Sequence, residues 1–214
     1  MMRYKTTTTP PQEAKGPRTK PAEVRLDELM SAAERLFLAN GVEATTINEI
    51  VEQAKVAKGT FYHYFSSKND MLASLGERYT AEFLGQLQKA VDACPANDWQ
   101  GRLRTWIEAS VEVYAKTYRI HDIVYTNHHH HHHHRNNQPK DAILEQLLKI
   151  IERGKAAGVW ESDQPRIVAL LIYSGVHGAT DDIIATKTKD SSKFARNLAE
   201  ACLRMLPPVA KQTK

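Results

Sequence analysis

The stretch AKGTFYHYFSSK, Ala57 to Lys68, sets two Phe, two Tyr, one His and two Lys within twelve residues. The chain as a whole is only 7% aromatic. A core helix would not carry those lysines, and a solvent face would not carry those rings. A two-sided helix satisfies both, with rings buried on one side and rings, hydroxyls and cations presented on the other. Just before it, AKV at 54–56 reads as a tight turn, and TTINEI opens a preceding helix. Thr46 and Glu49 there have capping-box spacing, which satisfies two orphan backbone donors. That helix points Ile47, Ile50, Val51 and Ala54 inward. A third helix fits 57–64. Two short helices across a tight turn make a helix-turn-helix unit. Upstream, Leu26, Leu29, Ala33, Leu36 and Phe37 recur at helical spacing, and Gly41 supplies the left-handed stop.

In such a unit the second helix lies in the major groove of DNA and its N-terminal residues reach base edges. Between Glu52 and Asp70 there is no acidic residue, while Lys55, Lys58, His63 and Lys68 fall inside that window. A locally acid-free patch suits a phosphate backbone even when overall charge is modest. Lys58 can donate to a guanine edge or a phosphate, Gly59 lets backbone approach closely, and Thr60 offers a hydroxyl or a methyl. Tyr62 and His63 can bond to phosphate or stack on sugar. Phe61 and Phe65 face the other way, onto Ile50 and onto Leu36 or Phe37. Tyr64 fits either side. On spacing alone, three bundled helices without a nucleic-acid role remain the competing reading.

The rest of the chain reads helical too. Residues 1–22 are rich in Thr, Pro and Lys/Arg with almost no large apolar group, so a disordered tail is expected. Ser67 and Asp70 cap a long helix, 68 to about 92, and CPAND at 94–98 breaks the chain. Asp98 caps the next helix, which runs to about 119 and is followed by a short piece, 120–126. A polar, His-rich loop spans 127–140. Helices resume at 141–157, 164–186 and 191–206, with a tail at 207–214. The expected fold is all-α: a three-helix DNA-binding domain, 23–68, then a helical bundle, 69–206. The net charge of +4 permits a polyanionic partner without demanding one. Two widely spaced cysteines, Cys94 and Cys202, form no disulfide framework. The N-terminus lacks a signal-peptide apolar run, and the longest apolar run, IVALLIY at 167–173, is too short for a bilayer. A cytoplasmic protein without membrane contact is expected.

The run from Glu34 to Leu72, ERLFLANGVEATTINEIVEQAKVAKGTFYHYFSSKNDML, resembles the N-terminal domain of TetR-type bacterial transcriptional regulators. The resemblance covers roughly 24–72; beyond it only the helical layout is shared. It implies a homodimeric repressor that binds double-stranded, palindromic operator DNA and is released by a small-molecule effector. It places Thr46, Asn48, Lys58, Gly59, Thr60, Tyr62, His63 and Lys68 at DNA-contact positions, with Tyr62 and Lys68 clamping phosphates. The family turn usually reads Ala-Gly-Val-Ser; here Lys55 and Ala57 replace the Gly and the Ser. Lys55 must then hold a conformation glycine prefers, and it adds a phosphate contact; Ala57 cannot cap the third helix.

The resemblance also implies a C-terminal domain for dimerisation and ligand binding. The last two long helices are the dimer candidates, through Ser174, Gly175, Gly178 and Ala179 and through Phe194, Leu198, Cys202 and Leu206. A ligand pocket is expected between 98–125 and 141–182, with Trp106, Tyr114, Tyr118, His121, Tyr125, Tyr173 and His177 as candidate linings. The bland reading makes most of these core residues, His177 included. Seven consecutive histidines, His128–His134, form an internal low-complexity run. It can bind transition metals opportunistically, and a metal-responsive regulator is the alternative reading. No metal site or cofactor is assigned. No nucleophile elbow, phosphate loop or H-E-x-x-H pattern occurs, so an enzyme is not expected.

Overall fold

The computed structural model describes residues 21–126 and 138–209. Eight helices follow in order: α1 (Ala22–Asn40), α2 (Ile47–Gln53), α3 (Lys58–Tyr64), α4 (Lys68–Asp92), α5 (Trp99–Thr126), α6 (Gln138–Ala156), α7 (Pro165–Ala185) and α8 (Ser191–Leu203). The only β-type pairing among the described residues is an isolated bridge between Trp160 and Pro208. The all-α expectation holds.

Local signals set most boundaries. Thr46 accepts from the Glu49 amide while the Glu49 carboxylate accepts from the Thr46 amide at 2.7 Å, a complete capping box. Gly41 ends α1 at φ 83°, ψ 160°, so its backbone is in the mirror-β region open to glycine rather than the left-handed helical region expected. Ser67 accepts from the Asp70 amide, but the Asp70 carboxylate turns back to the Ser66 amide and hydroxyl instead of closing a box. Asp98 receives the Gly101 amide at 2.8 Å, as the sequence suggested.

Three expected boundaries shift. α5 runs unbroken to Thr126, because nothing between Arg102 and Thr126 interrupts it and Val124 continues its buried stripe. α6 begins at Gln138, so the last three residues of the expected loop are helical. α8 ends at Leu203 rather than 206, and the segment after it is tied down where the Glu161 amide donates to the Pro207 carbonyl at 3.0 Å. Of the tail expected over 1–22, residues 1–20 lie outside the described residues, as does the histidine run, and Ala22 already opens α1.

α5 is the central strut. It packs against α1, α4, α6, α7 and α8, and Leu103, Trp106, Ile107, Val111 and Val124 on it are fully buried. α4 pairs along α5 and carries Met71, Leu72, Leu75 and Leu87 into the same core. α7 is long and apolar enough to cross a membrane, a property the short run 167–173 did not reveal, yet only 28% of its apolar window is buried here. At the far end, Trp160 is buried and donates from Nε1 to the Ile151 carbonyl at 2.9 Å. Its ring lies over Gly154, where an added Cβ would come within 2.0 Å of the indole. Gly154→Ala should therefore destabilise the protein by about 1–3 kcal/mol through overpacking, read as a lower midpoint in urea unfolding.

Candidate DNA interface and ligand cavity

α2 ends in a Schellman motif. The Val56 amide reaches back to the Val51 carbonyl and the Lys55 amide to that of Glu52, both at 3.0 Å. This geometry places Lys55 at φ 55°, a left-handed position that costs a side-chain-bearing residue about 1–2 kcal/mol. The turn therefore keeps the shape a glycine would give it. Ala57 stands at the N-cap of α3 with no side-chain cap.

α3 is two-sided as its composition required. Phe61 and Phe65 are buried, with ring centroids 5.6 Å apart. Tyr62 is 53% exposed, and Lys58, Gly59 and His63 face solvent beside it. Nothing lies within 4 Å of where a Gly59 Cβ would stand, so a ligand backbone has open access there. Thr60 is half-buried, while Thr46, Asn48 and Lys55 on the neighbouring turn and helix are exposed. Tyr64, open in the sequence, donates its hydroxyl to the Ala22 carbonyl at 2.9 Å and so ties α3 to the start of α1.

Lys68 departs from its expected role as a phosphate clamp. Its Nζ donates to the carbonyls of Val42 at 2.6 Å, Thr45 at 3.1 Å and Glu43 at 3.3 Å. All three donor directions of the ammonium are used on the α1–α2 connection. Lys68 holds that connection against the start of α4.

The second site is a half-open cavity of about 140 Å³ lined by α4, α5, α6 and α7. Six of the seven candidate residues line it: Trp106, Tyr114, His121, Tyr125, Tyr173 and His177. Tyr118 does not; it sits half-buried against the core at the edge of that face of α5. Tyr79 and Phe83 of α4, Ser110 of α5, Lys140 and Ile143 of α6 and Val176 of α7 complete the wall. The α4 residues escaped notice because an aromatic pair at i, i+4 reads as ordinary core; Lys140 did because it lay in the expected loop.

A polar chain crosses the cavity. Tyr114 donates to Asp181 Oδ1 at 2.5 Å, and Asp181 Oδ2 lies 3.1 Å from His177 Nδ1. His177 Nε2 faces His121 Nε2 at 3.5 Å, and His121 Nδ1 is 3.3 Å from Asp122 Oδ1. Burial pushes the Tyr79 phenol up to about 12, and it raises Tyr125 and Tyr173 as well. Tyr114 is raised by burial and further by its bond to Asp181. These phenols stay neutral donors. Burial also pushes His121 below the usual imidazole range, against the pull of Asp122. Lys140 Nζ stands 5.8 Å from the Tyr173 ring centroid at the rim. Among the described residues no group of three or more His, Cys, Asp or Glu is placed to hold a metal.

Residues 29–75 match the family model for bacterial regulatory proteins of the tetR family. Solved structures extend the likeness along the chain. The fatty acid degradation regulator FadR of Bacillus halodurans superposes with a TM-score of 0.67 at 19% identity, over 89% of this chain and 97% of that one. Residues 29–75 are thus similar to the tetR-type regulatory domain, and the helical fold of the chain is shared with solved regulators. The transcriptional repressor KstR2 of Mycolicibacterium smegmatis is 32% identical over 68 residues, 32% of this chain and 33% of its own length. The transcriptional regulator QacR of Staphylococcus aureus is 22% identical over 71% of this chain and 82% of its own. Identity is thus higher in the shorter of these two matches, and the match to KstR2 spans only a third of that protein. These relatives are named as regulators, not enzymes.

The left-handed Lys55 gives a direct test of this turn. Lys55→Gly relieves the backbone and should raise stability by about 1 kcal/mol. That corresponds to roughly 2–4 °C in Tm for a chain of this size.

Proposed function

We propose that this protein is a homodimeric transcriptional repressor that binds a palindromic operator and leaves it when a small molecule fills the cavity of the helical bundle. The observation that carries the reading is the two-sidedness of α3: Phe61 and Phe65 are buried while Lys58, Gly59, Tyr62 and His63 stand free beside Lys55. Lys58, Gly59 and Thr60 are set to meet base edges and phosphates; Tyr62, His63, Thr46, Asn48 and Lys55 are set to meet the backbone. Repressors of this kind work in the cytoplasm, beside their DNA.

Dimerisation is supported by α7. Ile167, Leu170 and Leu171 are 40–53% exposed, and Ser174, Gly175 and Gly178 continue the same exposed stripe. The residues expected on the last helix divide differently: Cys202 of α8 and Leu206 just beyond it are buried in their own protomer, and Phe194 and Leu198 are half-buried. α7 therefore supplies most of the free apolar face. Two α3 helices related by a two-fold axis would enter successive major grooves about 34 Å apart.

Coupling between the sites runs through α4. Its first turn holds the α1–α2 connection by Lys68, and its middle lines the cavity with Tyr79 and Phe83. Between them Arg78 pairs with Glu34 of α1 at 2.5 Å, and Arg119 of α5 donates to the Leu38 carbonyl at 2.8 Å. A ligand that displaces α4 relative to α5 would move both attachments and change the spacing of the two α3 helices.

Titration of the full chain onto DNA from its own upstream region, at several salt concentrations, tests the reading. Tight binding that resists competitor DNA is expected. Tyr62→Ala should weaken it, and Lys58→Ala should also reduce the salt slope by about 1. Lys68→Met should lower Tm yet leave that slope unchanged. Weak, sequence-indifferent binding by the wild type would reject the repressor assignment. Leu171→Glu should turn the dimer into monomers in analytical ultracentrifugation and abolish operator binding with it.

A further inference from the structure

Most polar groups on the cavity wall are engaged within the protein. Tyr79 bonds to Thr117 at 3.1 Å, Tyr125 to Thr80 and Tyr114 to Asp181, and Ser110 donates to the Trp106 carbonyl at 2.7 Å. Trp106 Nε1 donates to Gln146 at 2.9 Å. His121 and His177 meet through their Nε2 atoms, and each turns its Nδ1 to a carboxylate, Asp122 and Asp181 respectively. Two groups are left over. Among the described residues nothing accepts from the Tyr173 hydroxyl, and no carboxylate pairs with the Lys140 ammonium. The ammonium can only donate, and the phenol has a proton to give.

These two donors lie together at the mouth. Lys140 Nζ stands over the Tyr173 ring, 5.8 Å from its centre, and Lys140 is exposed. Burial, with Tyr125 close by, holds the Tyr173 phenol above its usual range, so it keeps its proton. Tyr173 in turn helps to raise Tyr79, so the three hydroxyls face a common space. The two nearby carboxylates oppose a negative ligand only weakly. Asp181 is held by Tyr114 and His177, Asp122 sits at His121, and their side chains are 52% and 59% exposed, where water and salt screen them. An unpaired ammonium beside a phenolic donor, at the entrance to a wall of Phe83, Trp106, Ile143 and Val176, suits a charged acceptor on an apolar body. An apolar cavity of about 150 Å³ takes up benzene. About 140 Å³ therefore holds one ring, and the open side leaves room for a short acidic arm.

We propose that the cavity recognises a small carboxylate carried on a single-ring apolar body, with the ring seated against Phe83 and Trp106 and the carboxylate accepting from Tyr173 and Lys140. This rests on the reading of the cavity as the effector site and names the chemistry of the effector.

Calorimetric titration of the full chain near neutral pH, without DNA, tests it with three probes of similar size. These are phenylacetate, 2-phenylacetamide and 2-phenylethylammonium. The first offers a charged acceptor, the second a neutral one, the third a cation with no acceptor. Phenylacetate should bind at least about tenfold more tightly than either of the others, and its affinity should fall as salt rises. Lys140→Met should bring phenylacetate down to the level of the amide. Lys140→Arg, which keeps the charge, should retain the preference and separates lost charge from lost packing. Tyr173→Phe, which keeps the ring, should weaken both phenylacetate and the amide by about fivefold. Each variant is checked for a native circular dichroism spectrum and Tm. Equal binding of the amide or the ammonium ion would overturn the proposal. So would a preference that survives in Lys140→Met, a Tyr173→Phe variant that binds as the wild type does, or no binding of phenylacetate. Operator binding is measured separately. Operator binding without phenylacetate binding rejects this proposal alone, and phenylacetate binding without operator binding rejects the repressor reading alone.

Discussion

A helix of seven residues cannot hold itself together in water, and α3 has only seven. Everything that holds it in place comes from outside. Phe61 and Phe65 fasten its inner side to the small core, and Tyr64 ties it to the first residue of α1. A turn with a lysine in a left-handed conformation fixes its angle to α2. The α1–α2 connection is in turn held by the Lys68 ammonium on three carbonyls. Removing any one of these attachments would blur the position of the exposed side chains without touching them.

α4 belongs to both halves of the chain. Its N-terminal turn is part of the support under α2 and α3, and two turns further on it becomes a cavity wall. Short polar links run from this region to α1, through Arg78 and from the neighbouring α5 through Arg119. A stiff helix fastened at one end and pressed by a ligand further along transmits displacement with little loss, because a packed interior resists compression.

The sequence disclosed the parts of this protein that depend on local chemistry. The capping box at Thr46 and Glu49, the stop at Gly41, the strained lysine of the turn and the two sides of α3 are all set within a few residues of one another. The parts it hid depend on distant partners. Lys68 reads as a surface cation until the α1–α2 connection is brought over it from 23 to 26 residues away. Tyr79 and Phe83 have the spacing of core residues, and only the packing of α5 and α6 against α4 makes them a cavity wall. Cys202 and Leu206 shared a stripe with Phe194 and Leu198, and burial within their own protomer sets the first two apart. The continuity of α5 was missed for another reason: a polar run that follows a helix suggests an earlier end than the backbone requires.

α7 has no spare face. Tyr173, Val176 and His177 look into the cavity, while Leu170, Leu171, Ser174, Gly175 and Gly178 form the outer stripe. The two surfaces are separated by one helix thickness, roughly 10 Å. A rotation of this helix that eases a molecule into the cavity necessarily drags the outer stripe with it, since both are cut from one rigid rod. Adaptation to a new ligand is therefore never a private matter of the cavity: each change on the inner side is also a change of registry on the outer one, and the two surfaces are constrained to evolve as a pair.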